Sequence, residues 1–403
     1  MTTTLESLPE YPAPRAKGCP FDPSPEIRGL QKTAPLTRIK LWDGSTPWLV
    51  TRHEDVRALL SDRRVSADPT RDGYPSSSPA MVARRTQART FISMDDPDHA
   101  RLRRMVTAPF AIKRIEALRP AVQRVVDQLL DDLLAGPKPV DLVQAFALPV
   151  PSLVICELLG VPYADHGFFQ ENSRLLVKRD AGPAESVAAQ QRLIGYLDDL
   201  IGRKLAEPAD DLLSDLAARR VRTGELTRRD AAAMGMLLLV AGHETTANMI
   251  ALGTAALLRH PDQLTALRET DDPKLVAGAV EELLRYLTIV HMGRRRVALD
   301  DIEYGGETIR AGEGIVLAGE VGNRDPAVFA DPDKLDITRD ARRHVAFGVH
   351  QCLGQPLARV ELQVAYSTLF RRIPALSLAT GIDELPFKHD GQVYGVYELP
   401  VTW

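Results

Sequence analysis

Cysteine is scarce in these 403 residues: Cys19, Cys156 and Cys352 are the only three, odd in number and far apart. That argues against a disulfide framework and for a reducing, cytoplasmic setting. Excess positive charge is also missing. Fifty Lys and Arg stand against 54 Asp and Glu, for a net charge of −4, so nothing global favours nucleic acid or an anionic membrane surface. The opening stretch, Met1 to Pro14, has no basic segment followed by an apolar core, so neither a signal peptide nor a membrane anchor is expected. Repeats and low-complexity tracts are absent. No Gly-x-Gly-x-x-Gly follows a strand pattern, so the chain carries no dinucleotide fold of its own. One long apolar run exists, Ala231 to Leu258, long enough to cross a bilayer. It holds His243, Glu244, Thr245, Thr246 and Asn248 at its middle, and charge there is costly in lipid. It reads as a long helix through a protein core.

What is present is ordinary globular composition, 44% apolar and 26% charged. At this length one large domain, or two closely joined lobes, is expected over the whole chain, 1–403. Leu36 to Val50 alternates around Asp43-Gly44 and predicts a hairpin. Thr51 and Glu54 suggest a capped helix to about Ser61. Residues 66–90, rich in Ser, Pro, Asp and Arg, read as a long loop. Apolar spacing near 3.6 then predicts helices over 98–109, 113–134, 141–160, 163–180, 184–206 and 210–222. Thr227 and Asp230 form a capping box for the apolar helix that follows, which stops near His260-Pro261; another helix covers 273–288. The stretch 296–317 is strand-like, 323–350 is irregular, Cys352 opens a helix to about Arg372, and the last thirty residues hold short strands. The expected class is mostly α with small β-sheets: β-rich portions at about 36–66, 294–318 and 376–403, and α-rich portions at about 97–290 and 352–373.

Four motifs carry chemistry. In Gly348-Val-His350-Gln-Cys352-Leu-Gly354 a cysteine sits between glycines at a predicted helix start, a setting that favours thiolate. Whether such a thiolate binds a metal or attacks a substrate stays open on the residues alone. In Ala241-Gly242-His243-Glu244-Thr245-Thr246 an acid and hydroxyls interrupt an apolar helix. Proton handling is favoured there over a merely solvated patch, because a buried carboxylate carries a desolvation cost. Glu282 and Arg285 share a helix face, a spacing that by itself is usually surface decoration. His99 and Arg103, four apart, could grip a carboxylate or phosphate, although taken alone a solvated basic face is the favoured reading.

Taken together, and in this order, the four motifs resemble the bacterial cytochrome P-450 family over almost the whole chain. Leu148-Pro-Val-Pro-Ser152, Asn323-Arg-Asp-Pro326, Phe329 and Leu399-Pro-Val-Thr-Trp403 resemble in particular the streptomycete hydroxylases of macrolides, sterols, statins and xenobiotics. The resemblance implies the fold of that family, an α-rich lobe and a β-rich lobe around a buried haem b. It implies Cys352 as the iron's thiolate ligand, and His99, Arg103, Arg296 and His350 on the haem carboxylates. Phe347, Gly348, Gly354 and Ala241 would contact the cofactor, and Thr245 with Glu244 would deliver protons for oxygen activation. Glu282 and Arg285 would form a buried structural pair with a partner in 323–343, Arg339 being the candidate. The substrate pocket would draw on Leu237, Val240, Ala241, Ile289, Val290, Met292, Val393 and Tyr394, with Arg84 or Arg85 able to meet a substrate carboxylate. The family's loop reads Phe-Gly-x-Gly-x-His-x-Cys-x-Gly. Here Val345 and Ala346 stand at the usual Phe and first Gly positions, so the loop is two residues short.

The implied activity is insertion of one atom of O2 into a hydrophobic, medium-to-large small molecule. With no room for a flavin domain, electrons would come from a ferredoxin (2Fe-2S or 3Fe-4S) and its NAD(P)H-dependent reductase. That partner would dock on a basic face drawn from Arg101, Arg104, Lys113, Arg114, Arg342, Arg343 and Arg359. No nucleic-acid or membrane partner is expected, and a monomer is the default. Two other readings compete. A haem-binding sensor or carrier without turnover would suit the shortened loop. A cysteine hydrolase using Cys352 and His350 lacks a third group to orient the base.

Overall fold

The structure, a computed structural model, describes residues 8–348 and 352–403. Its axis is the 32-residue helix Arg228–Arg259, about 48 Å long at 1.5 Å per residue. The capping box starts it: the Thr227 hydroxyl accepts from the Asp230 amide at 3.0 Å and donates to the Asp230 carboxylate at 2.6 Å. Nearly every side chain of this central helix is buried, so it shows none of the one-sided pattern of a surface helix. It lies against helices Pro149–Leu159, Pro183–Ala206 and Gln355–Arg372. No helix among the described residues is long and apolar enough to cross a membrane.

Glycine permits the tightest of these approaches. A Cβ at Gly253 would stand 2.0 Å from the Tyr366 hydroxyl of helix Gln355–Arg372, and that hydroxyl donates to the Met249 carbonyl. A residue that costs about 1 kcal/mol of helix propensity thereby lets two core helices touch.

The β-rich part is a five-stranded mixed sheet. Leu36–Arg38 pairs antiparallel with Trp48–Val50, the predicted hairpin, in register Leu36 to Val50. Then come Gly314–Leu317, Arg294–Ala298 and Val65–Ser66. A second, three-stranded sheet joins Val140–Asp141, Pro400–Thr402 and Ser377–Leu378.

Several expected boundaries shift. Thr51 is no cap: its hydroxyl donates to Pro35, and helix His53–Ser61 begins after Arg52. The His53 amide is satisfied instead by Asp325, from a distant segment. The predicted loop 66–90 contains a short helix, Pro79–Arg84, capped by Ser78. The stretch 141–160 opens as strand and a wide helical turn before helix Pro149–Leu159. Residues 210–222 divide into Leu212–Leu216 and a wide turn, Ala217–Val221. The central helix ends at Arg259 with His260 as its cap, as expected, and Pro261 starts a further helix, Pro261–Glu269, proline being suited to a first helical position. Cys352 does not open its helix but precedes it, Gly354 being the cap and Gln355–Arg372 the helix.

The irregular segment 323–348 is fixed by a buried network. Arg285 pairs with Glu282 at 2.7 Å, both side chains fully buried. Arg285 also donates to the carbonyls of Asn323 and Pro332. Glu282 in turn accepts from Arg339 at 3.2 Å and from the Asp336 amide at 3.0 Å. The pair is therefore an interior clamp and not surface decoration. Burial pulls the Arg285 pKa down, with Glu282 opposing. Removing one partner of such a pair costs about 3–5 kcal/mol, because the other charge is left buried alone. Glu282→Ala should lose that much stability, read from the denaturant midpoint, and an unchanged midpoint would contradict the clamp.

Candidate functional site

The buried central helix has one window. Leu237, Val240, Gly242 and Thr245 are only part-buried, and Ala241 is exposed. The Thr245 hydroxyl donates to the Ala241 carbonyl at 2.8 Å. Thr245, Thr246 and Met249 line an apolar slot of 170 Å³, with Ala358 and Leu362 contributed by helix Gln355–Arg372 and with Phe347 and Cys352 from the loop before it. Leu284, Ile289 and Val290 line the same slot.

Glu244 is adjacent in sequence but not in space. One helical residue turns about 100°, and Glu244 lines a different cavity, a 600 Å³ groove shared with Asn248, Lys388 and Val393. It is buried, with His243 Nε2 at 3.7 Å. Burial lowers the Lys388 pKa, while the Glu244 charge raises it.

At the cysteine end the slot meets a 580 Å³ cavity that also contains Arg294, Phe347 and Cys352, and to which His99, Arg103 and Arg296 contribute. Alternation along a strand sets Arg294 and Arg296 on one face. Neither has a carboxylate within 4 Å among the described residues. His99 Nδ1 lies 3.0 Å from Asp96. The three cysteines separate clearly. Burial, aided by Asp165, pushes the Cys156 thiol up to about 12, and Cys19 is half-buried and also raised by burial. Cys352 is the exposed one, facing the cavities.

These residues fit haem. An apolar slot lined by the Cys352 thiol and adjoining a cavity lined by cations matches an apolar macrocycle with an iron centre and two carboxylates. Arg294 and Arg296, with no carboxylate in ion-pair reach among the described residues, call for an anion.

The remaining expected residues divide. Gly348 has φ +72°, open to glycine, and Gly354 caps the following helix. His350 lies outside the described residues. Tyr394 does not line the pocket. It is fully buried, stacked 5.8 Å from Phe387 with Arg15 over its ring. Met292 is likewise core, 3% exposed. Arg84 donates from Nη2 to the Leu176 carbonyl at 2.8 Å, while its buried Nε has no partner. On the basic face Arg101, Arg342 and Arg343 sit near Asp98, Asp340 and Glu54, and Arg359 belongs to Glu281, at 2.5 Å.

Sequence reasoning missed Arg294, Lys388 and Glu361. The last could have been found: the buried residues Leu357, Glu361 and Val364 follow helical spacing and turn the acid inward. Glu361 is buried, and burial pushes its carboxyl up to about 8 against a Thr246 hydrogen bond that lowers it. Between its unfolded value near 4.5 and about 8, the folded chain holds more protons, so stability falls as pH rises through that window. Glu361→Gln should therefore raise the denaturant midpoint at pH 8 and bring a smaller gain at pH 5. Equal gains at both would contradict it.

The geometry agrees with comparison to known proteins. The cytochrome P450 family model matches residues 184–374. Cytochrome P450 GfsF of Streptomyces halstedii is 58% identical over 99% of this chain and 97% of its own, and its crystal structure aligns with a TM-score of 0.91. Cytochrome P450-SU2 of Streptomyces griseolus is 56% identical over the full length of both. The crystal structure of the mycinamicin VIII C21 methyl hydroxylase MycCI of Micromonospora griseorubida, bound to mycinamicin VIII, aligns over 98% of this chain and all of that one, with a TM-score of 0.92 and 42% identity. These likenesses do not favour a carrier without turnover. The chain belongs to the cytochrome P450 family, as a haem b monooxygenase of the streptomycete hydroxylase group.

Proposed function

We propose that this enzyme hydroxylates a hydrophobic, medium-to-large small molecule, a secondary metabolite or xenobiotic, with electrons from a ferredoxin. The observation that carries the reading is the joining of the Cys352 thiol, an apolar slot and a carboxylate-free pair of arginines in one connected space. The likeness to MycCI, a methyl hydroxylase seen bound to mycinamicin VIII, supports the substrate class.

Bound haem supplies the redox chemistry that inserts an oxygen atom. Cys352 would hold the iron as its thiolate ligand and donate electron density to it. His99, Arg103 and Arg296 hold the carboxylates, and His350 joins them in this reading. Phe347, Gly348, Gly354 and Ala241 let the macrocycle approach closely. Thr245 holds a proton at the slot. Glu244, on the groove side, is the acid placed to take protons from solvent. Leu237, Val240, Ala241, Ile289 and Val290 exclude water and seat the substrate; Val393 borders the groove. Arg104, Lys113 and Arg114 supply the cationic face for the ferredoxin. Scarce cysteine supports a reducing cytoplasm, and a monomer is sufficient for every step.

The reduced protein under carbon monoxide should show a strongly red-shifted Soret band. A band at the unshifted position would mean that Cys352 is not the ligand. Thr245→Ala should keep that band and substrate binding, yet lower product formed per NAD(P)H consumed by about ten-fold or more, the scale of a lost proton-transfer group. Undiminished coupling would remove Thr245 from the proton path.

A further inference from the structure

Arg294 is the residue in the site that no motif explains. It begins the strand Arg294–Ala298 and pairs across to Leu317. Its neighbour Arg295 points the other way and donates to the Pro75 carbonyl at 2.7 Å, whereas Arg294 and Arg296 share the face toward the cavities. Of the three, Arg294 alone lines both the slot beside Cys352 and the cationic cavity. Its Nη2 donates to the Ala346 carbonyl at 2.5 Å. Its Nε lies 3.3 Å from where a Cβ of Gly348 would stand. The side chain therefore sits against the part of the loop that is two residues short.

The charges around it leave Arg294 unneutralised. Along the cavity rim Asp62 pairs with Arg64, Asp95 lies 3.7 Å from Arg71, and Asp96 lies 3.0 Å from His99. The nearest acid behind the strand, Glu320, accepts from the Tyr11 hydroxyl at 2.7 Å and is not within ion-pair distance of Arg294. Burial pushes the Glu320 carboxyl up to about 7, which weakens it further as a counter-charge. Burial, with Arg296 adding to it, pulls Arg294 down to about 10, opposed by Cys352 and Glu320; among the described residues no carboxylate forms an ion pair with it. Arginine presents five N–H donors in a planar fork. One is spent on Ala346, and the fork leaves others toward the cavity.

We propose that Arg294 is a further haem-carboxylate ligand, and that by donating at the same time to Ala346 it clamps the shortened cysteine loop to the cofactor edge. The assignment rests on haem being the group bound here.

The test is the rate of haem loss from purified ferric holoenzyme, measured by transfer to excess apomyoglobin. Arg294→Gln should lose haem about ten-fold faster or more, the scale of one charge-assisted bond removed. Arg294→Lys should fall between Gln and the parent, because lysine keeps the charge but cannot fork. Arg295→Gln, on the opposite face, should match the parent. Inserting Phe-Gly after Ala346 to restore loop length should shrink the effect of Arg294→Gln, a coupling that a general loss of folding would not produce. A parent that shows a Soret band, with haem loss from Arg294→Gln and Arg294→Lys within two-fold of it, would overturn the role of Arg294 alone. A well-folded parent that takes up no haem would overturn the cofactor and the proposal together. If Arg294→Gln does not fold, the Lys variant decides: parent-like haem loss from it, unaltered by loop restoration, overturns the clamp.

Discussion

A guanidinium with no solvent exposure, Arg285, holds the irregular stretch that leads to the cysteine. Segment 323–348 has almost no regular hydrogen bonding of its own, so its backbone carbonyls need partners from elsewhere. Arg285 supplies them at Asn323 and Pro332, Glu282 takes the Asp336 amide, and Arg339 completes the set. Asn323 continues the chain of contacts, accepting from the Val345 amide at 2.8 Å. A neighbouring set, Glu281 with His344 and Arg359, holds the next turn, and Arg359 covers the ring of Phe347 at 4.8 Å. Although burial opposes it, hydrogen bonds from His344 and Arg359 hold the Glu281 carboxyl down to about 2. Position at the thiol is thus set by ion pairs in the interior, which break at high cost once formed.

The second constraint is the central helix. It is buried except at the window around Ala241, and Gly253 against Tyr366 sets its distance from the helix that follows Cys352. Because successive residues of a helix point in different directions, Thr245 and Glu244 serve different cavities. The acid can meet solvent through a polar groove while the hydroxyl stays in an apolar slot. An acid beside a hydroxyl in the sequence becomes, in space, two groups in separate cavities.

Charge sorts the cofactor's edge from its face. Apolar side chains of three helices line the slot, and cations from helix Asp98–Thr107 and from the strand Arg294–Ala298 gather in the adjoining cavity. The arrangement suits an amphiphilic disc whose carboxylates lie on one side, and it asks for guanidiniums that keep hydrogen-bonding capacity in a partly dry setting.

The sequence by itself determined the order of elements, the hairpin, the capped central helix and the four motifs, because each rests on local rules: period, caps, turns and residue chemistry. It determined which of three cysteines matters, since glycines and a helix start surround Cys352 alone. Tertiary structure alone decided the rest. The helix His53–Ser61 begins where Asp325 satisfies its amide, from 272 residues away, so no local cap could mark it. The pair Glu282–Arg285 has the same spacing on a surface or in a core; only the approach of 323–339 shows it to be buried. Tyr394 and Met292 are lost to the pocket because packing turns them inward. Arg294 carries no motif. Its role depends on which loop the strand meets, and chain segments that pair across fifty residues leave no periodic trace in the sequence.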